Sequence, residues 1–467
     1  MSQAIKILYL SSELTPLAKA GGLGDVAGAL PKALFKLHAD IRVMLPYYET
    51  IEKQKIETKK IISHLIVPFG KEHHVATIYQ ADIPNSQVPL YLIHHHEFLS
   101  TGPIYSSKRE RFMFFTQAIN EFLKLDIFQP DIIHVNDWHP AGLLALLKKD
   151  PQHKKHHYKS LITIHNLAMT GKILNSKTKL WHPSLYHPSK TKNFLILKQG
   201  LEHSDLINTV SPQYAKEILT PEYGTSLLPI LKKHRRKLCG IINGIDAGLF
   251  SPQKDKYIQY NYNWRSLNLK NKNKRFLQKL CHLPINENIP IFGLVSRLTK
   301  QKGVDLIIAI VKDLAKLNVQ FIFTGTGKEP IEQALKKAVA KYPKKFFFLN
   351  KFDIPFGQYI YAGADIFLMP SLFEPCGLGQ MIAMAYGTIP IVRATGGLKD
   401  TVKNNKTGFV FNNYQAAELL KTITKSTKLY QNKTVWKKMI RQAMEQDFTW
   451  HNSARQYMDL YKKLLKK

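Results

Sequence analysis

Cysteine is almost missing from this chain: Cys239, Cys281 and Cys376 are the only three in 467 residues, far apart and without CxxC spacing. They build neither a disulfide scaffold nor a zinc cluster, and a reducing, intracellular setting is expected. Long apolar runs are missing too. The stretch from Ile7 to Leu10 ends at once in Ser11, Ser12 and Glu13. It is too short for a signal peptide, and nowhere do the ~18 uninterrupted apolar residues of a membrane span occur. A cytoplasmic protein with no membrane partner is expected. Acid is scarce: 34 Asp plus Glu stand against 67 Lys plus Arg, a formal charge of +33. That balance favours polyanions or phosphate-bearing ligands, although Lys-rich composition alone produces it. No Asp-x-Asp pair occurs, and Gly325-Thr-Gly-Lys328 lacks the upstream glycine and following Ser or Thr of a P-loop. Metal-dependent phosphoryl transfer loses ground accordingly, and charge neutralisation by side chains gains it.

What is present is enough for a sizeable core, with 44% hydrophobic and 11% aromatic residues. Short apolar, β-branched runs alternate with helix-like segments, the pattern of βαβ units and a parallel sheet. The first half offers strands at 5–10, 41–45, 88–93, 131–135, 161–164 and 206–210. The second offers them at 290–295, 320–324, 346–349, 366–369 and 389–392. Between the two sets lies Asn243-Gly-Ile-Asp246 and a Lys- and Asn-rich segment to Arg275. The expectation is an α/β protein of two doubly wound domains, 1–242 and 243–467, with ligand in the cleft between strand C-terminal ends. The basic runs 148–159, 232–237, 270–275 and 462–467 read as solvated loops and helix ends.

Several loops after strands carry candidate chemistry. Lys19-Ala-Gly-Gly-Leu-Gly-Asp-Val26 precedes a helix expected over 26–37, and its backbone N–H groups and Lys19 suit an anion. A plain Gly-rich turn with a solvent lysine is the equal alternative. Ser296-Arg-Leu-Thr-Lys-Gln-Lys-Gly303 presents Arg297, able to fork onto a diphosphate, and Lys302; either alone is as readily a surface cation. In Phe373-Glu-Pro-Cys-Gly-Leu-Gly-Gln380, Glu374 suits a polyhydroxyl ligand or simply a helix start. Thr395-Gly-Gly-Leu-Lys-Asp400 repeats the anion-nest chemistry. Asn136-Asp-Trp-His139 and His165-Asn166 follow apolar strands. The triplet His94–His96 is read as structural, because neighbours on a strand face opposite sides.

Taken in order, Lys19-Ala-Gly-Gly-Leu, Asp137-Trp-His, His165-Asn, Thr209-Val-Ser-Pro, Asn243-Gly-Ile-Asp, Ser296-Arg-Leu-Thr-x-Gln-Lys-Gly, Glu374-Pro-Cys-Gly-Leu and Thr395-Gly-Gly-Leu closely resemble the bacterial glycogen synthases and plant starch synthases. The likeness runs to Asp447-Phe-Thr-Trp450. It implies two Rossmann-like domains facing across a cleft, the GT-B architecture, with the last helix packing back on the N-terminal domain. It implies transfer of glucose from ADP-glucose to the non-reducing end of an α-1,4-glucan with retention, and no metal or other cofactor.

By motif match, Lys19, Gly22 and Asp25 lie near donor and acceptor. Arg297 and Lys302 hold the diphosphate and stabilise the leaving ADP. Glu374, Cys376, Gly377 and Leu378 line the glucose site, and Thr395, Gly396 and Gly397 meet donor phosphate or sugar. His165 approaches the transferred glucose, Asp137 and Asn243 line the cleft, and Phe352 replaces a Tyr stacked on adenine. The chain departs from the family at Met169-Thr170, where an aromatic and Gln are usual, and in the shortened acceptor-side segment 102–112 around Tyr105. Ile382 stands where many related transferases carry a second Glu. UDP-glucose or another glycan acceptor is the nearest alternative. A polyanion-binding protein with weakened catalysis is the remote one, and nucleic-acid binding is disfavoured because the basic runs are scattered. Oligomeric state is left open.

Overall fold

A computed structural model describes residues 4–105, 109–153, 156–181, 185 and 193–466. The chain forms two compact units, one of Met1–Gly244 with Trp450–Lys467, the other of Ile245–Thr449. The division falls two residues beyond the expected 242/243 boundary. Residues 450–467, numbered with the second domain but with the last helix expected to pack back on the first, group with the first unit.

Unit one is built on a nine-stranded sheet. Its strands are β1 (Lys6–Leu10), β2 (Asp40–Pro46), β3 (Lys59–Phe69), β4 (Glu72–Asp82), β5 (Pro89–His94), β6 (Ile132–Asn136) and β7 (Lys159–Ile164). A separate antiparallel pair, β8 (Lys172–Leu174) and β9 (Asn193–Leu195), follows, and then β10 (Leu206–Thr209) and β11 (Leu238–Gly240) complete the large sheet. Their order is β11-β10-β7-β6-β1-β2-β5-β4-β3, all parallel except the β3–β4–β5 meander. The central strands are apolar on both faces because helices cover both, as a parallel sheet requires. Tyr9 and Ile41 pack on one side, Leu8 and Met44 on the other.

The meander is the largest departure from the expected pattern. Pairing of β3 with β4 slips between Lys60 and Ile62 and again between Ile62 and Leu65, so the apolar alternation that marks a strand is broken. Strands β8, β9 and β11 are three residues each and too short to show a period.

The helix Trp450–Leu465 seals unit one. Trp450, Ala454, Tyr457, Tyr461 and Leu464 recur at helical spacing and enter the core beside Leu30 and Leu34 of the helix Gly22–Lys36. Its tyrosines also have buried polar partners. Tyr457 Oη accepts from Asn208 Nδ2 at 2.9 Å, and Tyr461 Oη pairs with His134 Nδ1 at 2.7 Å.

Unit two has a six-stranded parallel sheet of β12 (Ile291–Val295), β13 (Gln320–Thr324), β14 (Phe346–Leu349), β15 (Ile366–Met369), β16 (Ile389–Arg393) and β17 (Phe409–Phe411). Its order is β14-β13-β12-β15-β16-β17, that of a dinucleotide-binding fold, with chain direction across the sheet reversing between β12 and β15. In unit one the same reversal lies between β1 and β6. Both units are Rossmann-like and doubly wound, the expected fold class.

One basic run is not the solvated face expected of it. Over 270–275 the helix Leu267–Leu280 points Lys270 and Lys274 inward and leaves Lys272 and Arg275 exposed, since positions four apart share a face. Lys270 Nζ donates to the carbonyls of Ala362 and Ala364 at 3.0 Å each and to Thr388 Oγ1 at 2.8 Å. Lys274 Nζ meets Asp365 Oδ2 at 2.8 Å, Tyr430 Oη at 2.8 Å and the Glu287 carbonyl at 2.9 Å. Both amines are buried with three hydrogen-bond partners each, but only Lys274 faces a carboxylate; among neutral partners, burial lowers the pKa of Lys270 to about 7.

Candidate active site

At the reversal point of unit one, the ends of β1 and β6 bring together Glu13 and Asp137. Asp137 has φ of +57°, a left-handed backbone that Asp tolerates better than most residues. This turns its carboxylate onto the next strand's end, where Oδ1 accepts the N–H of His165 at 2.7 Å and of Asn166 at 3.4 Å. Burial pushes the Asp137 carboxyl up to about 7 against the pull of those two N–H groups.

His165 is fixed on its other side. Asn136 Nδ2 donates to the Leu10 carbonyl at 3.0 Å, so its Oδ1 is the acceptor for Tyr9 Oη at 3.1 Å and His165 Nε2 at 3.0 Å. The network thus assigns the His165 proton to Nε2. Desolvation lowers its pKa to about 3, and the ring is neutral.

The glycine loop lies on the β1 side. Its helix begins at Gly22, four residues before the expected start, and Gly22 is exposed. Lys19 Nζ pairs with Asp25 Oδ1 at 2.6 Å. The N–H groups of Ala20 and Gly21, expected to await an external anion, are taken by Glu13 Oε2 at 2.8 and 2.6 Å. Tyr105 donates its hydroxyl to Glu13 Oε1 and lies over His139, ring centroids 5.1 Å apart and 20° from parallel. Arg111, 5% exposed, holds the backbone before Tyr105 by donating to the carbonyls of Phe98, Thr101, Pro103 and Ile104. Of the acceptor-side segment, 106–108 lie outside the described residues. Met169 is exposed. Asn243 belongs to this unit, 6% exposed, and its Oδ1 has no hydrogen-bond partner among the described residues.

Unit two carries the remaining candidates, most of them on loops around its own reversal point. Arg297 follows β12 and is exposed. Lys302 stands one short turn later, and its Nζ reaches Glu374 Oε2 at 2.5 Å. Two residues assigned to different parts of a donor therefore touch each other. Glu374 is 6% exposed, and its Oε2 also accepts from Ser371 Oγ at 3.2 Å. Gly396, at φ +43°, passes so close to this loop that a Cβ there would lie 1.9 Å from the Glu374 carbonyl oxygen. The Gly397 N–H donates to the carbonyls of Glu374 and Pro375 at 3.2 Å each. The loops of 373–380 and 395–400 are thus one packed body.

Thr395 and Cys376 are buried in it, Gly377 turns at φ +78°, and Leu378 is partly exposed. Arg393, 8% exposed, anchors the body by donating to the Ser371 carbonyl at 2.8 Å and to that of Leu372. Phe352 stands beyond β14 with 71% of its surface exposed.

Glu13, Arg111 and Arg393 were not among the sequence candidates. The one signal for Glu13 is its place at the carboxyl end of the first strand; nothing distinguishes the two arginines before their carbonyl partners are known. Among the described residues no group of three or more His, Cys, Asp or Glu is arranged to hold a metal ion, the histidine triplet included, and no helix is long and apolar enough to cross a membrane.

Comparison with known proteins places these loops in context. Residues 6–233 match the starch synthase catalytic domain family, and 281–444 match the glycosyl transferases group 1 family. The glycogen synthase of Thermotoga maritima is 40% identical over 99% of both chains. That of Bacillus anthracis is 38% identical over 99% of this chain and 100% of its own. The solved catalytic domain of starch synthase IV from Arabidopsis thaliana, bound to ADP and acarbose, superposes with a TM-score of 0.91 at 29% identity over 100% of both chains. Sucrose-phosphate synthase from Thermosynechococcus elongatus, with a TM-score of 0.62 and 19% identity over 99% of both chains, shares the fold.

Proposed function

This chain belongs to the family of glycogen and starch synthases, and on that premise we propose that it transfers glucose from ADP-glucose to the non-reducing end of an α-1,4-glucan with retention at the anomeric carbon. The observation that carries the reading is the Lys302–Glu374 contact at the reversal point of the second sheet, with exposed Arg297 beside the same strand end.

Glycosyl transfer builds negative charge on the departing diphosphate and oxocarbenium character on the glucose. Arg297 offers a planar fork for the diphosphate, and Lys302 a compact ammonium already held by a carboxylate. Glu374 offers its other carboxylate oxygen to a sugar hydroxyl, while Oε2 keeps the lysine in place. The glycines at 396 and 397 let their loop close against Glu374 and Cys376, where a Cβ would clash, and so hold Glu374 in place. In unit one, neutral His165 keeps its proton on Nε2 and has its other ring nitrogen as an acceptor, and Asp137 fixes the backbone there. Attack by the acceptor hydroxyl from the face the diphosphate leaves gives retention without a covalent intermediate, and diphosphate oxygen takes the proton. The Arabidopsis relative solved with ADP and acarbose supports an adenine nucleotide and a glucan-like acceptor. Phe352 supplies the exposed aromatic face for the adenine.

Competition between labelled ADP-glucose and UDP-glucose with glycogen as acceptor tests the reading. Preferential incorporation from ADP-glucose supports it; preference for UDP-glucose reassigns the donor. The diphosphate is given to side chains, so dialysis against EDTA is expected to leave the rate within about twofold. A large loss restored by a divalent ion would contradict that assignment.

A further inference from the structure

Glu13 is a buried carboxylate, 3% exposed, for which the proposed chemistry has no use. Its own backbone is locked: Ser11 Oγ accepts its N–H at 3.2 Å and donates to its carbonyl at 2.7 Å. One carboxylate oxygen fills the concavity made by the N–H groups of Ala20 and Gly21, at 2.8 and 2.6 Å. A concavity of this kind attracts an anion, and here the anion is internal. The other oxygen takes the hydroxyl of Tyr105, whose Oη also lies 3.2 Å from Ser12 Oγ. Tyr105 reaches this spot from a segment that Arg111 holds by four backbone carbonyls. A residue between two rigid anchors and the Lys19 loop transmits position to that loop.

We propose that Glu13 is a positioning residue for glucosyl transfer: by occupying the anion nest of the Lys19 loop and binding Tyr105, it makes loop and tyrosine one unit that orients the glucan acceptor. This rests on the glucan synthase reading. The loop's first two amides are then not a diphosphate site, and the donor's charge is met elsewhere. Charge-assisted hydrogen bonds hold this arrangement better than neutral ones would, which is why a carboxylate and not an amide suits the position.

The test uses the full chain with glycogen as acceptor. Glu13→Gln keeps the volume but removes the charge: with its carbonyl oxygen on the loop amides, its NH2 can only donate to the tyrosine hydroxyl, reversing that hydrogen bond and weakening both contacts. Tyr105→Phe removes the hydroxyl and leaves the ring. Each variant is expected to lower kcat/KM for glycogen by roughly 10- to 100-fold, the scale of small misplacements of reacting groups. The Kd for ADP, read by calorimetry, stays within about twofold. The double variant is expected to be no more than about threefold worse than the poorer single one, because both break the same linkage. If Glu13→Gln fails to fold, Tyr105→Phe with its unchanged ADP affinity carries the test.

Wild-type glycogen kinetics in the folded variants, fully multiplicative losses, or tighter ADP binding in Glu13→Gln would overturn the proposal. The last result would return the loop amides to the diphosphate. A wild-type chain that transfers no glucose from ADP-glucose would instead remove the reading beneath it.

Discussion

Lys302 is the cation whose two duties, ion pairing and ligand binding, pull its substitution in different directions from that of Arg297. Arg297 is exposed, so Arg297→Ala is expected to leave stability within about 0.5 kcal/mol. It should still cut kcat by about 10²- to 10³-fold, or ~3–4 kcal/mol of transition-state stabilisation. Lys302→Ala should lose comparable activity and also destabilise by about 1–3 kcal/mol, because buried Glu374 loses its counter-charge. Urea unfolding alongside initial rates separates the two; equal stability of both variants would contradict the pairing.

In the interior of unit two, Lys270→Met takes a buried donor from two carbonyls and a hydroxyl and leaves them only neutral partners. A loss of about 3 kcal/mol or more is expected in the urea midpoint, against near-neutrality for exposed Lys272→Met.

At the level of elements, the helix Trp450–Leu465 matters beyond its place at the end of the chain. Tyr457→Ala or Tyr461→Ala opens a cavity in the core of unit one and removes a partner from Asn208 or His134. A loss of about 3–5 kcal/mol is expected, seen as early unfolding of unit one while unit two keeps its transition. Both units unfolding unchanged would contradict that packing.

The legibility of the elements followed their chemistry. Strands β1, β12, β15 and β16 are almost continuous apolar runs because helices cover both faces, and β2, β6, β7 and β13 carry at least three apolar residues each; such runs announce themselves. The β3–β4 pair was missed because its slips break the period, and β17 because three residues hold none. In the site, Arg297, Lys302 and Glu374 were legible because each sits in a short motif directly after a strand. Glu13 was not, since its partner Tyr105 is 92 residues away and no local pattern encodes a contact at that range. Lys270 and Lys274 were misread for a related reason: a run of charge looks solvated until the helical period sorts its members.

Across the whole molecule, buried neutral histidines set the response to acid. Burial lowers His134, His139 and His165 to about 3 and His95 and His153 to about 4, whereas an unfolded imidazole titrates near 6.5. Between those values the unfolded chain binds more protons, so this stability is present above pH ~6.5 and is lost as pH falls. Asp137 acts oppositely, being raised to about 7 and favouring the fold as it protonates, but it is one group against five. The urea midpoint of unit one is therefore expected to drop steadily from pH 7 to pH 5; a flat or rising midpoint would contradict the burial of these rings.

The charge of +33 is not accounted for by the proposed donor, since only Arg297 and Lys302 are assigned to the diphosphate, while Lys270 and Lys274 are spent inside unit two. The most direct test of the central claim is the incorporation of labelled glucose from ADP-glucose into glycogen by the wild-type chain and by Arg297→Ala, side by side. The account predicts label in α-1,4-linked, enzymatically releasable glucose with the wild type and a rate lower by at least about a hundredfold with the variant. Absent incorporation by the wild type, or equal rates from both proteins, would contradict it.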